Sequence, residues 1–93
     1  MSLTSKERAE LRADAHHLRP LVQVGQGGIG PTVVASLDDA LRTHELVKVQ
    51  LARQSDLAPR EAANRLADAV QADVVQVIGK TATLYRRRAE DER

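Results

Sequence analysis

Leu21-Val22-Gln23-Val24, Gly25-Gln26-Gly27-Gly28-Ile29-Gly30 and Pro31 follow one another without interruption. Residues 20–24 read as a strand, because Val22 and Val24 fall on one face. Pro31 suits the first position of a helix, with Gly30 as its N-cap. A strand that breaks at glycines and restarts as a helix brings backbone N–H groups and a helix N-terminus to one point. Such a point suits an anion, and most often a phosphate.

The elements on either side follow from spacing. Val33, Val34, Leu37, Ala40 and Leu41 repeat at three and four, which predicts an amphipathic helix ending near Thr43-His44. Glu45 to Ala52 predicts a second strand, with Val47, Val49 and Leu51 toward the core. After the loop 53–58, a third helix is expected from Pro59 to about Gln71, its stripe being Ala62, Ala63, Leu66, Ala69 and Val70. Val74–Ile78 and Thr81–Arg86 predict two more strands, joined at Gly79-Lys80 by a two-residue type II′ turn. Upstream, Thr4-Ser5-Lys6-Glu7 fits a capping box. That helix is expected to bury Leu11, Ala15 and Leu18, to point Arg8 and Arg12 elsewhere, and to end near His17, ahead of Pro20.

The expected architecture is therefore α/β, one domain of order α-β-α-β-α-β-β with helices packed on a four-stranded mixed sheet. Right-handed crossovers place the two connecting helices on one sheet face. Residues 1–86 form the domain, and 87–93 a charged tail expected to be disordered.

Composition excludes several classes. The 93 residues suffice for one small core, aliphatic because Tyr85 is the sole aromatic residue. Cysteine is absent, which removes disulfides and thiolate metal sites. No apolar run approaches the ~20 residues of a membrane span. The polar N-terminus does not read as a signal peptide, so a cytoplasmic protein is expected. The 14 Lys and Arg nearly cancel 13 Asp and Glu, leaving +1. Distribution then matters more than the total: Arg19 flanks the glycine turn and Arg86-Arg87-Arg88 end the last strand.

Several short motifs have plainer readings. Gly25-x-Gly27-x-x-Gly30 matches the dinucleotide fingerprint, but Glu45 begins the second strand instead of ending it, and the chain is too short for two mononucleotide-binding halves. Gly79-Lys80-Thr81 is not a phosphate loop, since position 74 is Val and a strand follows. His16-His17 and His44 lack companion ligands, and helix C-termini account for imidazoles there. No catalytic constellation, cofactor site or metal site emerges. Gly25-Gln26-Gly27-Gly28 is a G-x-x-G turn, a form some RNA-binding domains use to approach nucleic-acid backbone.

Taken in order, Ala15–Pro20, Val24–Ile29, His44–Val49, Val77–Thr81 and Leu84–Arg86 resemble the CRM domain (chloroplast RNA splicing and ribosome maturation) in its single-domain bacterial form, the YhbY-like proteins. The resemblance covers residues 3 to 86. It implies a fold akin to the C-terminal domain of bacterial initiation factor three. It also implies association with precursors of the large ribosomal subunit, with RNA held by Gly25, Gly28, Arg19, Lys48, Lys80 and Arg86. Gln26-Gly27 and Gln50 stand where the family often carries Lys or Asn, and a basic residue, respectively.

The resulting expectation is a non-enzymatic, monomeric RNA-binding protein of ribosome assembly. Gly25, Gly27 and Gly28 would offer backbone amides, Gln26 a side-chain hydrogen bond, and Arg19, Lys48, Lys80, Arg86 and Arg87 charge-assisted contacts. Two alternatives stand beside it. One is a docking module for a ribosomal protein, using a second sheet face of Leu46, Val74 and Ile78 unless the first helix covers it. The other is a small nucleotide-binding protein.

Overall fold

A computed structural model of the chain describes residues 3–25, 28–52 and 57–87. Helix α1 (Ser5–Ala15) begins at the expected capping box. Glu7 donates its backbone N–H to Thr4 Oγ1 at 3.0 Å, and Thr4 N–H donates back to Glu7 Oε1 at 2.9 Å. Then come β1 (Pro20–Gln23), α2 (Pro31–His44), β2 (Leu46–Gln50), α3 (Pro59–Val70), β3 (Asp73–Ile78) and β4 (Thr81–Tyr85). Gly30 is the N-cap of α2 with Pro31 behind it. At the hairpin, Gly79 takes a positive φ of 57° and Lys80 does not, as a type II′ turn requires.

The order α-β-α-β-α-β-β is the one the sequence predicts. The strands form one mixed sheet in the order β1-β2-β4-β3. β1 pairs parallel with β2, and β4 lies antiparallel between β2 and β3. The first face carries the core. Val22, Val24, Val47, Val49, Ala82 and Leu84 meet Leu37 and Leu41 of α2 and Ala62, Ala63, Leu66 and Val70 of α3. Burying each large aliphatic side chain stabilises the fold by roughly 1.5–3 kcal/mol. Both crossover helices thus share one face. Within α3, Ala67 is buried and Ala69 is exposed, which corrects the expected stripe by a small rotation of the helix.

Helix α1 occupies the other face, packing on β2 and β3. Ala15 is fully buried there, while Leu18 falls beyond the helix end and stays exposed. Arg8 does not point away. It donates to the Val74 carbonyl, with Val75 O at 3.4 Å, on the outer strand β3. β3 carries a bulge at Val75, so Val74 pairs with Leu84 and Gln76 with Thr83. That extra residue changes the alternation: Val74 packs against the first-face core, and Val75 is buried outside it. The grouping of Leu46, Val74 and Ile78 on one face therefore fails at Val74. Positions 88–93, most of the expected tail, lie outside the described residues.

Two helices end on side-chain-bearing residues with positive φ, Glu45 at 64° and Gln71 at 57°. A left-handed residue with a Cβ is strained, and glycine is the usual helix terminator. Gln71→Gly is expected to raise stability by about 0.5–1 kcal/mol in urea unfolding, because the side chain is exposed and only backbone strain is relieved.

Candidate nucleic-acid interface

Parallel pairing of β1 and β2 sends both chains out at the same edge of the sheet, and the β3–β4 hairpin turns there as well. Val24 N–H donates to Gln50 O at 2.8 Å, and Leu51 N–H to Lys80 O at 2.7 Å. These bonds tie the root of the glycine turn to β2, and β2 to the hairpin tip. One small hollow at this edge is lined by Gly28, Ile29, Leu51, Pro59 and Lys80, so the glycine turn, the start of α3 and the hairpin converge.

The two described glycines of the turn are open. A Cβ added at Gly25 or at Gly28 would meet nothing within 4 Å. Gly28 has φ +84°, a conformation that favours glycine, whereas Gly25 does not take a positive φ. Gly28 N–H is bonded to Gly25 O at 3.0 Å, which closes the turn. Gln26 and Gly27 lie outside the described residues. The first turn of α2, directly after the loop, carries no acidic residue. Its dipole therefore meets an approaching anion without a competing carboxylate in that turn.

The named cations fall into three places. Lys80 is exposed at the glycine edge. Lys48 lies two residues from the end of β2 on the second face, opposite Pro20. It lines a groove of about 390 Å³ with Asp14, Leu18, Arg19, Leu21, His44 and Leu46, so Arg19, one residue ahead of β1, sits toward the strand starts and does not flank the glycine turn as the sequence suggests. Among the described residues, Arg19, Lys48 and Lys80 form no ion pair. Arg60, at the start of α3 on the glycine edge, is exposed and forms no ion pair among the described residues. Nothing in its local sequence marks it; only the packing of α3 beside the hairpin reveals its place.

Arg86 and Arg87 sit at the opposite edge, roughly 15 Å away at about 3.3 Å per strand residue. Arg86 is largely enclosed. It donates to Asp38 Oδ1 at 2.7 Å, to Val70 O at 2.9 Å and to Asp38 O at 3.1 Å. It therefore clamps α2 and the last turn of α3 to the end of β4. Arg87 pairs with Glu7 at 3.6 Å, and Arg42 with Asp38 at 3.2 Å. The cations of this edge are thus paired with carboxylates, whereas among the described residues Lys80 and Arg60 at the glycine edge form no ion pair and Glu61 there pairs with Arg65 at 3.5 Å. Glu45 also lies here, a strand's length from the glycines, where it cannot serve a ribose of a nucleotide bound at the turn.

Elsewhere, no group of three or more metal-ligating side chains comes together among the described residues. No helix among them is long and apolar enough to cross a membrane.

The Arg86 hydrogen bond holds the Asp38 carboxyl below the usual aspartate range, against a smaller opposing effect of burial. Since the folded value is depressed, this stabilisation is complete above the unfolded aspartate value of about 3.9 and is lost as pH falls through the lower folded value. Arg86→Ala is expected to cost about 2–3 kcal/mol in urea unfolding at pH 7, since a charged hydrogen-bonding network is removed. The same variant should show a shallower loss of stability below pH ~4 than the parent. Equal acid limbs in both proteins would exclude the clamp.

Comparison with known proteins adds the following. The profile of the CRS1 / YhbY (CRM) domain matches residues 3–86. The chain is 34% identical over 90 residues to the Bacillus subtilis protein named "Probable RNA-binding protein YqeI", covering 97% of this chain and 94% of that one. It is 38% identical over 91 residues to "Probable RNA-binding protein PA4753" of Pseudomonas aeruginosa, covering 94% and 84%. The solution structure of SAV1595 from Staphylococcus aureus, described as a candidate RNA-binding protein, superposes with a TM-score of 0.83 at 36% identity. That match covers 97% of this chain and 94% of the other.

Proposed function

The chain belongs to the CRS1/YhbY (CRM) domain family, and from that membership and the open cationic edge we propose that it binds RNA as a non-enzymatic assembly factor for the large ribosomal subunit. The observation that carries the reading is the convergence of Gly28 and the open Gly25 with Lys80, a lysine that forms no ion pair among the described residues. The partner is precursor ribosomal RNA, with ribosomal proteins nearby on the same particle.

The roles divide by place. Backbone at Gly25 and Gly28 lets sugar-phosphate approach closely, and Gln26 would add a side-chain hydrogen bond. Lys80 contacts phosphate beside the turn. Lys48 and Arg19 extend the cationic track onto the second face, and Arg60 adds charge at the start of α3. Charge-assisted contacts of this kind position RNA and make binding salt-dependent. Arg86 keeps the opposite edge together, its guanidinium engaged by Asp38 and Val70, while Arg87, paired with Glu7 at 3.6 Å on the surface, is left to add a peripheral cationic contact to RNA.

Lys80→Ala is expected to weaken binding to ribosomal RNA fragments and to lower the slope of log K against log salt by about 0.7–0.9, one released counterion. Gly25→Val should weaken binding while leaving the melting temperature unchanged, because the added side chain points into open space. Gly28→Val is the poorer probe, since its positive φ would itself cost about 1–3 kcal/mol with a β-branched residue. Affinity and salt slope untouched by both Lys80→Ala and Gly25→Val would overturn the surface. In cells, crosslinks should map to large-subunit precursor RNA. Crosslinks confined to other RNAs would remove the ribosomal assignment.

A further inference from the structure

The second sheet face beside the glycine edge has a chemical character that phosphate binding does not use. The strand registers set Gln23 opposite Gln50, Gln50 opposite Thr81, and Thr81 opposite Ile78. These four residues make one cross-strand row on the face turned away from the core. The row spans the whole sheet, about 14 Å at the usual strand spacing. It is uncharged. It ends in Ile78, which at 66% is the most exposed large apolar residue among the described residues, immediately before Gly79-Lys80. The neighbouring row is Pro20, Lys48, Thr83 and Gln76, so Lys48 supplies a cation alongside.

Gln50 is held lightly in place. Its Nε2 donates to Lys80 O at 3.4 Å, and its Oε1 accepts from Thr81 Oγ1 at 3.4 Å. A primary amide has two N–H donors and two carbonyl lone pairs. Each of those long bonds uses one, leaving Gln50 oriented with a donor and an acceptor unused. Gln23 is exposed, and among the described residues no side-chain hydrogen bond engages its amide. Two adjacent amides with free donor and acceptor pairs match the edge of an unpaired base, where sequence-specific contacts are made. Phosphate has acceptors only, so half of this capacity would be idle against backbone.

We propose that Gln23 and Gln50 are specificity-determining residues that hydrogen-bond the edge of an unpaired base, with Ile78 giving apolar contact to an adjoining base. This rests on the RNA-binding reading and deepens it. The phosphates of the strand lie on the Gly25–Gly28 turn and Lys80, and its bases turn onto the second face. Selectivity among sequences then comes from neutral amides, and affinity from the cations beside them.

The test measures binding of fluorescent single-stranded dodecamers of A, C and U at two salt concentrations. The parent should separate its best and worst oligomer by about tenfold or more, the discrimination expected of a bidentate amide–base contact. Gln23→Ala/Gln50→Ala should compress that ratio to within about threefold while leaving the salt slope unchanged, since no phosphate contact is lost. Lys80→Ala should lower all three affinities by one common factor and reduce the slope. Gln23→Ala alone, at an exposed position, serves as the variant whose folding is not at risk and should lose part of the ratio. A ratio that survives the double substitution, or a parent that shows none, overturns the amide assignment and leaves the RNA reading standing. A parent that binds none of the oligomers and no ribosomal RNA overturns the RNA reading itself.

Discussion

The rest of the molecule depends on the parallel pairing of β1 with β2. Two parallel neighbours need a crossover, and α2 supplies it across the first face. Because both strands run the same way, the glycine turn and the chain leaving β2 emerge at one edge. β4 runs against them and β3 with them, so the hairpin turns at that edge too. Had β1 paired antiparallel, Gly25 and Lys80 would sit at opposite ends of the sheet. The bond from Val24 N–H to Gln50 O, one residue past β1, extends this pairing to the mouth of the turn.

A net charge of +1 conceals an uneven surface. At the edge away from the glycines, Asp38 and Glu7 neutralise Arg86, Arg42 and Arg87. Those pairs serve the fold. Arg86 in particular satisfies the Val70 carbonyl in the last turn of α3, where intrahelical donors run out. Lys80 and Arg60 at the other edge, with Lys48 two residues short of it, form no ion pair among the described residues, although Glu61 beside Arg60 pairs with Arg65 at 3.5 Å. A polyanion therefore meets a local field that the total charge does not disclose.

Most of the element order was legible in the residues. The Thr4–Glu7 capping box, Gly30-Pro31 and Gly79-Lys80 are local signals, each complete within a few positions, and each appears as read. The break between β1 and α2 was legible for the same reason. What escaped is long-range or depends on an inserted residue. Arg86 and Asp38 are 48 positions apart, and no local pattern pairs them. The bulge at Val75 moves Val74 into the core, against simple alternation. Arg8 lies off the apolar stripe of its helix, which points it away from the buried face, yet its long guanidinium reaches carbonyls of the outer strand. Arg60 needed the packing of α3 to be placed.

The same geometry explains why so small a sheet can separate affinity from selectivity. Side chains alternate across a strand, so β2 must present Val47 and Val49 to the core and Lys48 and Gln50 to the other face. Helix α1 is short and shields part of that face from above β2 and β3, burying Val75 and Ala15 but leaving Gln23 and Ile78 exposed. The exposed remainder is polar near the glycine edge and partly apolar in the Leu18–Leu21–Leu46 groove. Only one residue of the chain is aromatic, and Tyr85 lies at the far end, lining a hollow with Leu11 and Glu7 of α1. Stacking platforms of the usual aromatic kind are therefore unavailable beside the turn. Any base that leaves the strand there meets amides, a hydroxyl and Ile78, which leaves hydrogen bonding and aliphatic contact as the means of telling one base from another.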